Sequence, residues 1–352
     1  MSVSFAFRRV RRLALAGLAA LALSSCVVGE GDDRHLQPIP AALQSLMSGK
    51  GMTQADPILV RIFKKESELE VWKRDRSGRY ALLKTYPMCR WSGQLGPKTR
   101  EGDRQAPEGF YTVTADLMNP RSQFHLSYNL GYPNPLERSQ GFTGSALMVH
   151  GACTSAGCYA MTDDGVGELY ALAREAFSGG QRDFQVQAFP FRMTARNMAA
   201  YRASPHIGFW RNLKEGYDHF EATRRPPRIA YCGRRYVFDP ADGSGPFVAG
   251  APCPAYEVEA ASRDLVAALR SREEARIGEL VAAGTPALSY TYRDGGMHES
   301  FRRLLRQVGP ERMQQLVSAK VAISNPEAAL ADPYAAGASD AAQYTGSLGA
   351  AQ

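Results

Sequence analysis

A histidine and a cysteine eight positions apart, His150 and Cys158, bracket the stretch HGACTSAGC, with Cys153, Gly151 and Gly157 between them. Three chemistries use these residue types at this spacing. A thiol brought against an imidazole is a nucleophile with its base, because the ring can take the sulfur's proton. Cys153 and Cys158 could instead close a disulfide across a short turn. His150, Cys153 and Cys158 could also share a metal, but three ligands fall short of the four of a structural zinc site. No CxxC or HxxxH pair elsewhere offers the fourth.

A nucleophile accounts for more of the stretch than its two rivals. Cys158 stands near a histidine and just ahead of a helix expected to open at Asp163, and both would favour thiolate and depress its pKa. Gly157 permits an unusual backbone angle and close approach of a substrate carbonyl, and the backbone amides around Cys158 could hold an oxyanion. Ser155 is placed to orient the histidine. Cys153 receives no catalytic role.

These side chains need elements to hold them. SALMVH ends on His150 as a buried strand, and Gly151 begins a tight turn that returns Cys158 to the strand end. From Pro57 to Phe238 the chain offers short β-type runs: PILVRIF, ELEVWKR, YALLKTYPM, GFYTVTADL, SALMVH, DFQVQAF and the hairpin-like RIAYCGRRYVF. Turn clusters such as RDRSGR separate them. Two helices interrupt the series. In DDGVGELYALAREAFSGG, Val166, Leu169, Tyr170, Ala173 and Phe177 recur at helical spacing; the second runs from about Pro205 to Ala222. The expected fold is mainly β with a few helices, a sandwich or barrel rather than a parallel α/β sheet.

After the linker DPADGSGPFVAGAPCP the composition turns to Ala, Arg and Glu, and AYEVEAASRDLVAALRSREEARIGELVAAG is expected to form one long amphipathic helix with shorter ones after it. The organisation expected is a signal segment at 1–25, a β-rich domain, a linker at 241–255, a helical extension at 256–322 and a disordered tail at 325–352.

The first segment places Arg8, Arg9, Arg11 and Arg12 ahead of LALAGLAALAL, the layout of a secretory signal. It ends in Leu23-Ser24-Ser25-Cys26, which resembles a bacterial lipobox and makes Cys26 a candidate for lipidation. Removing those four arginines, with no acids lost, lowers the net charge of +7 by four, to +3. So small a charge gives no case for nucleic acid and leaves an anionic wall polymer compatible. Outside the cytoplasm cysteines pair, and the five that follow Cys26 are an odd number, so at least one thiol stays free.

The order strand, His-Gly, short loop, Ser-x-Gly-Cys resembles the signature of the YkuD-type L,D-transpeptidases. It stands here as His150-Gly151, Ala152-Cys153-Thr154 and Ser155-Ala156-Gly157-Cys158, and its three-residue loop points to the YafK-like subgroup. PILVRIFKKESELEVW, LGPKTREGDRQAPEGFY, NLGYPN, FPFRMT and GYDHFEATRRPP are similar to that subgroup too, so the resemblance covers roughly residues 37–240.

The resemblance implies a cysteine acyltransferase of peptidoglycan, with Cys158 as nucleophile and His150 as general base. Ser155 and Gly151 would hold the imidazole, and the backbone at Gly157 and Cys158 would face the oxyanion. No metal or cofactor is implied. Many members carry an arginine two residues past the cysteine, where this chain has Ala160; Arg192 or Lys98 would have to supply that charge, and Tyr132 would line the groove. His125 and His219 are expected to be packed or at the surface. The partner implied is peptidoglycan, with an outer-membrane lipoprotein or other wall-attached protein as a further one, and the place implied is the periplasm, with a lipid anchor in the outer membrane. Three functions remain in competition: bond-forming transpeptidase, protein-detaching amidase on the same scaffold, and non-catalytic wall-binding lipoprotein, the last requiring an unreactive Cys158 such as one locked to Cys153.

Overall fold

The computed structural model describes residues 32–289, 292, 294–317 and 322. The expected signal segment with Cys26, and the expected tail at 325–352, lie outside the described residues.

Along the chain, α1 (Ala41–Gly49) precedes a run of strands: β1 (Ile58–Phe63), β2 (Glu68–Arg74), β3 (Tyr80–Pro87), β4 (Arg90–Trp91), β5 (Gly109–Thr114), β6 (Met118–Asn119) and β7 (Ser127–Asn129). Next come α2 (Pro135–Ser139), β8 (Met148–His150), β9 (Tyr159–Ala160), α3 (Asp163–Ser178) and β10 (Asp183–Phe189). The remainder is α4 (Ala195–Ala200), α5 (Ile207–Thr223), the hairpin β11 (Ile229–Cys232) and β12 (Arg235–Phe238), then α6 (Ala260–Ala282) and α7 (Glu299–Val317).

Two five-stranded sheets organise the molecule, ordered β3-β2-β1-β10-β5 and β4-β9-β8-β7-β6. Each is mixed, since β1 runs parallel to β10 and β8 parallel to β9 while their other pairs are antiparallel. The two share one apolar core, in which Val60, Ile62, Val71, Phe110 and Val186 meet Trp91, Tyr128, Val149 and Tyr159. The rings of Tyr128 and Phe184 touch edge to face across that core, 5.4 Å apart. β1 is buried at every position, because α5 covers the far side of its sheet and Arg61, on that side, lies 4.8 Å from the ring of Phe220. Helices on a β framework make this the α+β architecture expected.

The α3 pattern folds as anticipated: Thr162 caps its N-terminus by accepting from Gly165 N, and Val166, Leu169, Tyr170 and Ala173 are buried. The long α6 departs from expectation. It spans most of the predicted stretch but buries only Ser262 and Val266, so it has little apolar stripe. Residues of the predicted linker fold back onto the β11–β12 hairpin, where Ala251 and Ala249 carbonyls accept from Gly233 and Arg234, and a Cys232–Cys253 disulfide closes the connection.

Candidate active site

The register of the second sheet decides which side chains meet. Arg90 pairs with Ala160, Ala160 with His150, His150 with Ser127, and Ser127 with Asn119. Because side chains alternate along a strand, this row lies on one face, while Trp91, Tyr159, Val149, Tyr128 and Met118 lie on the core face. Cys158 precedes Ala160 by two and therefore shares the face of His150, one step along the ladder. Its sulfur accepts from Met148 N at 3.4 Å and donates to the Ala146 carbonyl at 3.8 Å. It is the free cysteine among the described residues.

His150 is 2% exposed, and its Nδ1 lies 2.6 Å from the Gly151 carbonyl. A carbonyl can only accept, so Nδ1 carries the proton and Nε2 keeps its lone pair. The Phe124 ring packs on the imidazole at 4.7 Å. Gly151 is required by crowding: a Cβ there would stand 2.6 Å from Asp163 Oδ1 and 3.0 Å from the Phe124 carbonyl. Asp163, the first residue of α3, accepts from Ala152 N at 2.8 Å, so the helix start grips the His-Gly turn. Ala152 and Cys153 follow in left-handed conformation, at φ 66° and 47°, which costs about 1 kcal/mol or more each. A disulfide from Cys153 to Cys89, beside β4, holds them there.

That bond removes two of the rival readings. Cys153 is not available to lock Cys158, and its sulfur cannot join His150 and Cys158 around a metal. Ser155 also takes a part not foreseen: its hydroxyl donates to the Cys158 carbonyl at 2.7 Å and accepts from Gly157 N at 3.4 Å, with Ser92 Oγ 3.0 Å away. It shapes the loop, while the Gly151 carbonyl aligns the imidazole. Gly157, at φ +130°, turns the chain into β9 where a side chain would be strained.

Electrostatics depart from expectation as well. Burial lowers the His150 pKa to about 4, against a smaller opposing effect of the Gly151 carbonyl. Burial likewise raises the Cys158 pKa above its ordinary 9.0, with Met148 N–H and the Lys98 charge pulling the other way. The anticipated depression fails because the imidazole is neutral and α3 begins five residues beyond the thiol, with Asp163 and Asp164 in its first turn. At neutral pH the pair is thiol and imidazole, and the ring can accept the thiol proton as sulfur attacks an electrophile.

Lys98 is buried near this pair, but its ammonium is occupied by Asp103 and by the Arg100 carbonyl at 2.8 Å. Tyr132 is buried beside it and donates to the Lys98 carbonyl at 3.1 Å. Arg192 is a correction: Glu68 and Glu70 of β2, in the other sheet, neutralise it, and its guanidinium packs 4.3 Å over Phe63. Among the described residues no hydrogen bond or ion pair joins it to Cys158. His219 is buried 2.8 Å from Asp239, and His125 lies 3.8 Å from Asp163, both packed as expected.

Residues not singled out from the sequence also meet here. Ser127 stands directly across from His150, with a buried hydroxyl that has no hydrogen-bond partner among the described residues. Arg104 reaches the Ser155 carbonyl at 3.4 Å, and Asp294 reaches both Arg104 and Arg90. A two- or three-residue strand leaves no periodic signal, so Ser127 was beyond sequence reasoning, and Asp294 lies far along the chain from the motif.

A family model for the L,D-transpeptidase catalytic domain, YkuD, matches residues 57–178. YafK of Escherichia coli K12, which carries a provisional L,D-transpeptidase name, is 42% identical over 188 residues, covering 53% of this chain and 76% of YafK. Its counterpart in Escherichia coli O157:H7 gives the same figures. Among solved structures, the helical cell shape determining protein Pgp2 of Campylobacter jejuni is 16% identical over 56% of this chain and 81% of its own, at a TM-score of 0.31. Bd1075 of Bdellovibrio bacteriovorus is 14% identical over 50% and 78%, at 0.28. Both structural likenesses are slight. The domain match and the relative aligned over three quarters of its length place the chain in one family: it belongs to the YkuD L,D-transpeptidases.

Proposed function

We propose that the protein is a cysteine acyltransferase acting on peptidoglycan stem peptides. The observation that carries this reading is the free thiol of Cys158 on the same sheet face as His150, whose Gly151 bond leaves Nε2 unprotonated. Cys158 attacks the carbonyl on the L-centre of diaminopimelate while His150 Nε2 takes the thiol proton. The tetrahedral oxyanion is met by the backbone amide of Cys158, joined by that of Gly157 as it leaves its long, 3.4 Å bond to the Ser155 hydroxyl. The imidazolium then protonates the departing amine of D-alanine, leaving a thioester on Cys158. An acceptor amine attacks that thioester, His150 takes its proton, and the thiol is restored.

Two disulfides between described cysteines support action in an oxidising compartment, the periplasm, with Cys26 as the site of a lipid anchor. Water in place of the amine would turn the same site into an amidase that detaches protein from the wall.

The test incubates purified mature protein with sacculi carrying covalently attached protein and reads products by mass spectrometry beside a Cys158→Ala control. New diaminopimelate cross-links or D-alanine exchange, absent in the control, are expected. Release of the attached protein would reassign the acceptor to water, and products persisting in the control would overturn the cysteine mechanism.

A further inference from the structure

The matched domain ends at residue 178, yet its catalytic sheet is completed by chain more than a hundred residues later. β4 is the edge of that sheet. Gly296 forms an antiparallel bridge with Trp91, each N–H donating to the other's carbonyl at 3.0 Å. Gly295 N donates to the Gly93 carbonyl at 2.9 Å, and His298 N to the Met88 carbonyl at 3.0 Å. Tyr292 N donates to the side chain of Gln94 at 2.6 Å. The fit is flush: a Cβ on Gly295, at φ +68°, would stand 2.0 Å from the Trp91 carbonyl oxygen.

Met297 of this strip and Phe301, Leu305, Met313 and Val317 of α7 pack with Cys89, Cys153 and Ala160 into a second core. The strip also carries one carboxylate inward. Asp294 Oδ2 lies 2.8 Å from Arg90 and 3.4 Å from Arg104, whose guanidinium donates to the Ser155 carbonyl at 3.4 Å. Ser155 in turn donates to the Cys158 carbonyl.

We propose that the segment 294–298 is a working part of the active-site framework and that Asp294 is a positioning residue, acting on the Cys158 loop through Arg104 and the Ser155 carbonyl. This rests on the reading of Cys158 as the nucleophile. Asp294 touches no reacting atom. It fixes a guanidinium that fixes a loop carbonyl, and the loop sets where the sulfur stands. Small displacements of a nucleophile reduce turnover steeply.

The experiment is a double-mutant cycle on the full mature chain with Asp294→Asn, Arg104→Gln and the double variant, and Glu299→Gln in α7 as control. Asp294→Asn also removes the partner of buried Arg90 and can lower stability. Arg104→Gln, at a half-exposed side chain, leaves the Asp294–Arg90 pair in place and keeps the test open. Each single variant is expected to lower kcat on a diaminopimelate stem about tenfold, with KM nearly unchanged, and the double to be no worse than the poorer single. The rate of Cys158 alkylation by iodoacetamide is expected to change in both singles and not in Glu299→Gln. A loss of melting temperature with kcat and alkylation preserved, or fully additive losses in the double variant, would overturn the proposal. Alkylation requires no substrate, so it reads the loop even if the wild-type chain were to show no turnover and the acyltransferase reading failed.

Discussion

Burial sets the chemistry of the pair at the residue scale. With the imidazole titrating at about 4 and the thiol above 9.0, the charged pair is the high-energy form across neutral pH. In the proposed reaction, deprotonation of the sulfur is then coupled to attack. The pH profile of kcat/KM should rise through about pH 4 as His150 loses its proton and run flat through neutrality; an acid limb near pH 6.5 would show that burial does not act as described. Alkylation of Cys158 should keep rising about tenfold per pH unit between 7 and 9, without the neutral-pH plateau of a thiolate. The lowered imidazole pKa also bears on stability. The unfolded chain binds this proton below pH 6.5 and the folded chain only near 4, so the contribution of neutral His150 is complete above 6.5 and is lost as pH falls to 4, by about 3 kcal/mol. His150→Gln should accordingly lose less melting temperature than wild type over that interval, as a thermal series read by circular dichroism would show.

The parts that hold the pair are short, and their shortness explains what could be read in advance. β1, β2, β3, β10 and the β11–β12 hairpin are four to eight residues of β-branched and aromatic side chains, visible in the sequence because burial imposes a pattern on them. β4, β6, β7 and β9 are two or three residues long and exist because neighbours pair with them. The motif singles out Cys158 and His150, but not Ser127 across the ladder, nor the pairing of Cys153 with Cys89, which depends on β4 lying beside β9. The helix start grips the His-Gly turn in a manner that glycine substitutions test. Gly151→Ala would press a methyl against Asp163 and the Phe124 carbonyl, with an expected cost of about 1–3 kcal/mol and a loss of kcat. Gly167→Ala, one turn further along α3 and with no described atom outside the helix's own backbone within 4 Å of the added carbon, should stabilise by about 0.5–1 kcal/mol and leave kcat alone. Thermal melts and turnover on the two variants separate a tight turn from a generally intolerant helix.

At the scale of the molecule, the two disulfides among the described residues serve different ends, and chain entropy together with location predicts the contrast. Cys232 and Cys253 are 21 residues apart and clip the β11–β12 hairpin to the segment that follows it. Cys89 and Cys153 are 64 apart and pin the left-handed turn between His150 and Cys158 to the edge strand and, through the second core, to α7. The loop-closure relation assigns the shorter loop about 3 kcal/mol and the longer about 4 kcal/mol. Replacing Cys232 and Cys253 by serine should therefore lower stability with kcat intact at a temperature where the fold persists. Replacing Cys89 and Cys153 should lower stability somewhat more and also reduce kcat, because Ala152 and Cys153 can then relax from their strained angles and carry the loop away from the imidazole. Denaturant unfolding beside turnover, on both pairs at one temperature, distinguishes these outcomes. Equal loss of kcat in the two would mean that the turn is held by the sheet alone, and that the Cys89–Cys153 bond contributes only general stability.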